Sequence, residues 1–335
     1  MGKIKYLIRC IFNMNFGRMF RDVRSIAKNN NRVTFFVLID MIWCALRYGA
    51  GYSDYRIFGF AGKSAALRKT YVTRGINNQL IKKLNRREDY EKFENKVLFN
   101  KTFKDYVGRD WIFLKDATLP EFAEFISRHK VIMVKPIDNL CGHGIEKVEI
   151  AENADAKELW DILHEKGQLL VEQFVVQHQE LAVIYSLSVN TLRLTTVSNA
   201  DDVHVVYKVV RTGGGGSTID NTYFGGLYAY LDEDGTVITD AHNGNGEKFA
   251  AHPDSGVVFK GLKIPFYAEA ERAVKAGARV VPGIRYIGWD VAITPDGPIF
   301  IEANHNPSYT AFKIPADKPE DEMGLLPAIK AAARI

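Results

Sequence analysis

The sequence predicts an α+β protein with a basic, mainly helical front region and a strand-rich remainder. Three observations lead there. Residues 1–90 carry long helical stretches and little strand texture. From about Asn95 onward, runs rich in Val, Ile and Thr recur, as strands require. These runs alternate only loosely with helical segments, and tight turns join several of them, which favours hairpins over a doubly wound sheet. With 335 residues, 47% hydrophobic and 25% charged, the chain has room for one large or two moderate domains. The expected division is 1–90 and 91–335.

The front region is strongly basic. Residues 1–110 hold 23 Lys and Arg against nine Asp and Glu, whereas the rest holds 21 against 31. Such asymmetry suggests an anionic partner, although a solvated basic face accounts for it equally well. The start "MGKIKYLIRCIFNMNF" is basic then apolar, but Arg9 and Asn13 interrupt the apolar run and no small-residue cleavage site follows, so export is not expected. "VTFFVLIDMIWCAL", Val33 to Leu46, is too short to span a bilayer and contains Asp40. A buried helix is expected there. The alternative is a weak peripheral contact with anionic lipid, assisted by Lys3, Lys5, Arg18, Arg21 and Arg24. Aromatic residues between Tyr48 and Phe60 lie among basic ones, but no nucleic-acid-binding module is recognisable and no nucleic acid is expected.

Beyond residue 90, "LPEFAEFISRH" has helical periodicity, and "PFYAEAERAVKAGARVV" reads as an amphipathic helix. "KVIMVKP", "QLLVEQFVV", "SVNTLRLTTV" and "VHVVYKVVR" read as strands. Cys10, Cys44 and Cys141 stand far apart and the eight histidines show no H-E-x-x-H spacing. This excludes a sequence-evident zinc cluster and argues for a reducing, cytoplasmic setting, with the inner membrane face as an alternative.

"FAGKSAAL" ends like a P-loop, but the required early glycine is Ile57 and no apolar strand precedes it. No G-x-G-x-x-G follows a strand. In "KVIMVKPIDNLCGHGIEKVEI" a strand ends at Lys135, and a loop with Gly142 and Gly144 follows. Glycines let backbone N–H groups turn toward an anion, and the Lys135 ammonium could meet the same anion. A plain β-turn reads the same way. "RTGGGGSTIDN" is either a flexible connection or a mobile loop over substrate, flanked by Lys208 and Arg211.

"YIGWDVAITPDGPIFIEANHNP" is a hairpin turning at Pro295-Asp296-Gly297. Glu302 and Asn304 share one strand face, and Asp290 falls across from Glu302. Like charges opposite one another destabilise a sheet, so a cation is missing from this picture. Mg²⁺ takes one or two carboxylates together with phosphate oxygens and would supply that charge.

From Asn95 to about Pro315 the chain resembles the ATP-grasp superfamily, most of all its sugar-transfer-associated branch. The resemblance rests on "NKVLFNKTF", "VIMVKPIDNLCGHGI", "VEQFVVQHQEL", "SVNTLRLTT", "DNTYFGG" and "GWDVAITPDGPIFIEANHNPSY", in the family's order. It implies an ATP-grasp fold, two α+β subdomains gripping ATP. It also implies that Lys96 and Lys135 are nucleotide lysines and that Gly142, His143 and Gly144 close over the phosphates. Glu172, with the backbone of Gln173 and Val175, corresponds to the adenine-reading hinge. Glu180 corresponds to the ribose ligand, but the spacing departs from the family's, and His178 or Gln179 could serve instead. Arg193 corresponds to the arginine facing the transferred phosphate, and Lys208 and Arg211 to cations near phosphate and acceptor. Asp290, Glu302 and Asn304 correspond to ligands of Mg²⁺, with two ions implied.

The activity implied is an ATP-dependent carboxylate–amine ligase working through an acylphosphate, its substrates a small molecule, glycan or peptide with a carboxylate and an amine co-substrate. Two alternatives are an ATP-dependent phosphotransferase on a hydroxyl or phosphate, and a non-catalytic nucleotide-binding module in polysaccharide assembly.

Overall fold

The computed structural model describes residues 15–137, 144–245, 247–309 and 323–335. The chain divides into two compact units, Met1–Lys83 with Ser308–Ala331 and Leu84–Pro307 with Ala332–Ile335.

In the first unit, helices α1 (Phe16–Asn29) and α2 (Thr34–Tyr48) are followed by short helical turns and α3 (Arg74–Leu84). Asn15 caps α1, its side-chain oxygen accepting the Arg18 N–H, and Gly49 ends α2 in the left-handed conformation that favours glycine. Val23 and Ala27 of α1 join Val37, Met41, Cys44 and Tyr48 of α2 in a core completed by Tyr55, Phe58, Phe60 and Tyr71. Asp40 accepts from Arg68 at 2.7 and 2.8 Å and from the Tyr55 hydroxyl at 2.6 Å, so its charge is neutralised on the inner side of α2. The expectation of a buried α2 is only half met. Phe35, Phe36, Ile39, Ile42, Trp43 and Leu46 remain exposed.

The second unit holds two antiparallel sheets. The smaller comprises β1 (Trp111–Phe113), β2 (Val131–Lys135), β3 (Glu146–Glu149) and β4 (Leu170–Gln173), in the order β1-β4-β2-β3. Helix α4 (Lys96–Thr102) buries Phe99 in the core of the larger sheet, while α5 (Leu119–Arg128) and α6 (Ala156–Glu165) pack on the smaller one. A core of Leu114, Phe122, Phe125, Ile132, Val134 and Leu163 joins α5 and α6 to the sheet.

The larger sheet comprises β5 (Thr191–Ser198), β6 (Val203–Thr212), β7 (Leu227–Tyr230), β8 (Ala241–His242), β9 (Lys248–Phe249), β10 (Tyr286–Thr294) and β11 (Gly297–Asn304), in the order β11-β10-β5-β6-β7-β8-β9. A short helix, α7 (Gln179–Ala182), precedes β5, and α8 (Tyr267–Val280) covers one face of the sheet. A final helix, α9 (Leu326–Ala333), ends the chain. Ala270, Val274 and Ala278 of α8 pack with Leu192, Leu194, Val210, Trp289 and Val291. The close approach depends on Gly277, where an added Cβ would stand 2.7 Å from the Phe300 ring. Trp289 is fully buried and donates its indole N–H to Thr196 at 2.9 Å.

Candidate active site

The turn predicted at Pro295-Asp296-Gly297 is present, and it sets the register that pairs Asp290 with Glu302 and Gly288 with Asn304. A bulge follows at Asp290/Val291. On its other side β10 pairs with β5, and Asp290 lies opposite Arg193. Directly paired residues share a face, so Glu302, Asp290 and Arg193 form one row across three strands. Arg211 and Thr191 pair on the next strands and stand on the same face. This face is the one turned away from α8.

The charge missing from the hairpin is therefore supplied in part by the protein. Arg193 donates to both oxygens of Asp290, Nε to Oδ1 at 2.5 Å and Nη2 to Oδ2 at 2.7 Å. Arg211 approaches Asp290 Oδ2 at 3.4 Å and donates to Asp220 at 2.9 to 3.3 Å. Thr191 donates its hydroxyl to the same Asp220. Burial alone would raise the Asp290 carboxyl, but Arg193 and Arg211 outweigh it and hold that carboxyl at about 2. Arg211 is shifted upward: burial opposes its charge, and Asp220, Asp290 and Glu302 more than compensate.

Glu302 differs. Crowding by the protein, then the neighbouring Asp290, push its carboxyl above the ordinary range. The residue keeps an exposed edge, so solvent moderates this effect. Asn304 donates to Glu302 Oε1 at 3.2 Å. The row thus ends in a carboxylate whose negative charge is crowded by another and only partly relieved. Glu302 and Asn304 suit a hard cation by charge and by oxygen chemistry. Asp290 has both oxygens engaged by Arg193, which leaves each of them one further lone pair for a cation. Among the described residues no group of three His, Cys, Asp or Glu side chains could hold a metal, so a cation here relies on the Asn304 oxygen or on other ligands.

A second cluster forms in the smaller sheet. Glu172, at the end of β4, is 2% exposed. Its carboxylate accepts from Arg109 at 2.9 and 3.1 Å, from Asn100 at 2.8 Å and from Lys135. Burial alone would raise this carboxyl, and Arg109 with Lys135 hold it well below the usual range instead. The side chain is saturated inside the protein, which leaves only the backbone of Glu172 for the hinge role that the resemblance implies. Gln173 ends β4, its N–H donating to the Asp110 carbonyl at 2.8 Å, and Val175 follows, half-buried. Arg109 also donates to the carbonyl of Phe300 at 2.6 Å, so one guanidinium ties β4 to β11.

Lys96, at the start of α4, has its ammonium 3.4 Å from the carbonyl of Ile137, just beyond β2. Lys96 thus reaches the residue before the glycine loop, whereas Lys135, at the end of β2, turns its ammonium to Glu172. Gly142 and His143 lie outside the described residues. Gly144 is described, at φ +75°, and accepts from Gln168 at 2.9 Å. Glu180 is exposed on α7, which His178 caps by accepting the Glu180 N–H at 3.3 Å.

Lys208 does not join the cluster. It pairs with Leu194, which pairs with Trp289, so it stands on the face covered by α8. There it binds Glu233 at 2.5 Å. Strand alternation puts it opposite to Arg211, three positions on, and its assignment beside the phosphate is withdrawn.

The glycine loop after β6 is held rather than slack. Asp254 accepts the Gly215 N–H at 2.8 Å, His252 meets the Gly213 carbonyl at 2.9 Å, and Tyr185 donates to Ser217 at 3.0 Å. Gly213 is required by packing, because an added Cβ would stand 2.5 Å from Ser188 and from Tyr185.

Asn100, Arg109, Asp220 and Asn85 carry no sequence signal of their own. Asn85 donates to the carbonyls of Tyr286 and His305 and accepts the N–H groups of Arg285 and Tyr286, which anchors both strands of the hairpin. Asp220 opens "DNTYFGG", and its partners Arg211 and Thr191 become visible only in the fold.

Residues 75–326, three quarters of the chain, match the family described as sugar-transfer associated ATP-grasp. Among solved structures, similarity extends to an L-amino acid ligase from Bacillus licheniformis, with 16% identity, 64% of this chain and 41% of that one covered, and a TM-score of 0.38. It extends to the ATP-grasp ligase PsnB complexed with a phosphomimetic variant of a minimal precursor, Mg and ADP, with 12% identity, 71% and 58% covered, and a TM-score of 0.41. It also extends to D-alanine–D-alanine ligase from Bacillus anthracis, with 14% identity, 77% and 74% covered, and a TM-score of 0.44. The chain spans about half the length of the first two of these proteins. No curated protein matches its sequence. The order of the motifs, the two antiparallel sheets and the extent of the family match lead to one statement: this chain belongs to the sugar-transfer-associated ATP-grasp family and has its α+β fold.

Proposed function

We propose that the protein is an ATP-dependent carboxylate–amine ligase. The observation that supports this most is the row Glu302–Asp290–Arg193 with Arg211 beside it, which gathers two carboxylates and two guanidiniums on the sheet face turned away from α8, with Glu302 at its exposed end. Lys96 and Lys135 add cations near the glycine loop of the smaller sheet. In this reading they steady the triphosphate of ATP, and the backbone after Glu172 meets the adenine. Glu180, or His178 or Gln179 beside it, takes the ribose hydroxyls.

Glu302 and Asn304, with Asp290 beside them, would hold Mg²⁺, one or two ions. When bound, the metal neutralises charge on the transferring phosphoryl group. Arg193 and Arg211 then do the work of placement. They align a substrate carboxylate oxygen with the γ-phosphorus while the bond to the ADP oxygen breaks. The resulting acylphosphate is attacked at its acyl carbon by an amine, and inorganic phosphate leaves. Arg193 stabilises the oxyanion of the tetrahedral intermediate. The tethered glycine loop after β6 helps to exclude water from the acylphosphate. No side-chain nucleophile is needed.

The branch name suggests a glycan or glycan precursor decorated with an amino acid or peptide, and the reaction's need for ATP fits a cytoplasmic setting. The test is ADP release with mixtures of candidate acids, amines and sugars, followed by mass spectrometry of the product. An amide adduct with stoichiometric phosphate supports the reading. A stable phosphorylated product without amine, or normal turnover by Glu302→Gln, overturns it.

A further inference from the structure

We propose that the outer face of α2, flanked by the basic residues of α1, docks this protein onto an anionic phospholipid surface without crossing it. The inference rests on the first unit alone and not on the ligase reading.

The physical anomaly is α2. Its residues are apolar almost all round, yet only one side enters the core. Phe35, Phe36 and Trp43 are 62%, 66% and 56% exposed, and Ile39, Ile42 and Leu46 are exposed with them. At 100° per residue these six fall within an arc of roughly 120°. Val37, Met41, Cys44 and Tyr48 occupy the opposite, buried side. Phe16 and Phe20 of α1 are exposed as well, but on the side of α1 that carries Val23 and Ala27, and they lie outside this stripe. A continuous apolar stripe of this kind is an interaction surface rather than a scatter of single exposed residues.

The surrounding charge says what covers it. Arg18, Arg21, Arg24 and Lys28 of α1, Arg32 in the turn and Arg47 near the end of α2 are all exposed. Each helix has one acid, and each acid is taken up within the unit: Asp22 by Arg56 at 3.4 Å and Asp40 by Arg68 and Tyr55. The outer face of α2 therefore has Arg47 at its edge, and the adjoining helix α1 exposes four further cations with its single carboxylate paired. A second copy of this chain would bring like charges together, whereas anionic headgroups complement these cations while acyl chains receive the stripe. An aromatic residue such as Trp43 suits the boundary between the two. The fifteen residues of α2 reach about 22 Å, short of the roughly 30 Å of hydrocarbon core. No helix among the described residues is long and apolar enough to cross a membrane. The helix lies in the interface.

The test uses the full chain without nucleotide. It is sedimented with vesicles of phosphatidylcholine alone and with vesicles in which roughly a third of the lipid is phosphatidylglycerol. Each cation at such a surface strengthens partitioning about fivefold before screening, so binding to the anionic vesicles should exceed the neutral ones by more than tenfold and weaken with salt. The pairs Ile39→Ser with Trp43→Ser, and Arg21→Glu with Arg24→Glu, should each lose at least about tenfold while keeping the parent's circular dichroism and melting temperature. Because a variant could fold poorly, a second measurement uses the parent chain: bromine-labelled acyl chains should quench its tryptophan fluorescence in anionic vesicles. Equal binding to both vesicles, parent-like binding by the serine pair, or no quenching overturns the proposal. A concentration-dependent dimer that the serine pair abolishes, without vesicle binding, also overturns it and assigns the face to a second copy. ADP release is unaffected by any of these outcomes, so failure here is distinct from failure of the ligase reading.

Discussion

Arg193 on β5 lies directly across from Asp290 on β10 and grips both of its carboxylate oxygens, while Glu302 on β11 flanks the same aspartate from the other side. A buried carboxylate thus stands between a guanidinium and a second carboxylate, and each neighbour has a different consequence.

Arg193→Met removes the main partner of a buried charge. Breaking such a pair costs about 3 to 5 kcal/mol, and, under the proposed ligase function, losing this guanidinium should lower kcat/KM about a hundredfold or more. Urea unfolding and steady-state ADP release check the two effects separately.

The acid limb of stability should follow from the same pair. Asp290 is held at about 2 against an ordinary 3.8. A carboxyl whose folded value is depressed adds stability that is fully present above the unfolded value and is lost as pH falls through the folded one. Its contribution, about 2 kcal/mol for this buried group, should disappear between about pH 4 and pH 2. In Arg193→Met that slope should flatten, as read from urea midpoints across the window; an unchanged slope would assign the acid limb to other groups, Glu172 first among them.

Glu302 has the opposite sign. Its carboxyl is raised, so its contribution to folding is present below the ordinary 4.5 and lost as pH rises through the folded value. Glu302→Gln should therefore leave the metal-free protein no less stable at neutral pH, with a gain of about 0.5 kcal/mol, and Mg²⁺ should no longer protect it against urea. A large loss of stability would mean that the carboxylate has a structural partner.

Arg109→Lys keeps the charge and loses the fork. One guanidinium serves both Glu172 and the carbonyl of Phe300, which an ammonium cannot reproduce. The variant should lose about 3 kcal/mol, and hydrogen exchange should rise in β4 and β11 together.

Lys208→Ala checks the face assignment. It should change kcat/KM by no more than about threefold, against the hundredfold expected for Arg193→Met. A comparable loss would return Lys208 to the site.

Much of this molecule is legible in one dimension because its signals are periodic or local. The hairpin from Tyr286 to Asn304 announces itself by strand composition and a Pro-Asp-Gly turn, and alternation alone puts Glu302 and Asn304 on one face. The helices at Leu119–Arg128 and Tyr267–Val280 follow from their apolar spacing, and the ordered motifs from Asn95 onward identify the family. The tertiary structure decided the pairings. Nothing near Asp290 in sequence says that its cation is Arg193, 97 positions earlier, or that Glu172 is answered by Arg109 from 63 positions away. The resemblance put Lys208 and Arg211 together, yet they stand three positions apart on one strand and alternation already sets them on opposite faces; which of the two faces Asp290 was decided only by the register with β5. The same limit explains α2: its apolar content predicts burial, but whether enough partners exist to cover both sides depends on the rest of the fold. Local patterns are set by backbone geometry within a few residues, whereas charge balance and coverage depend on which distant segments the folded chain brings side by side.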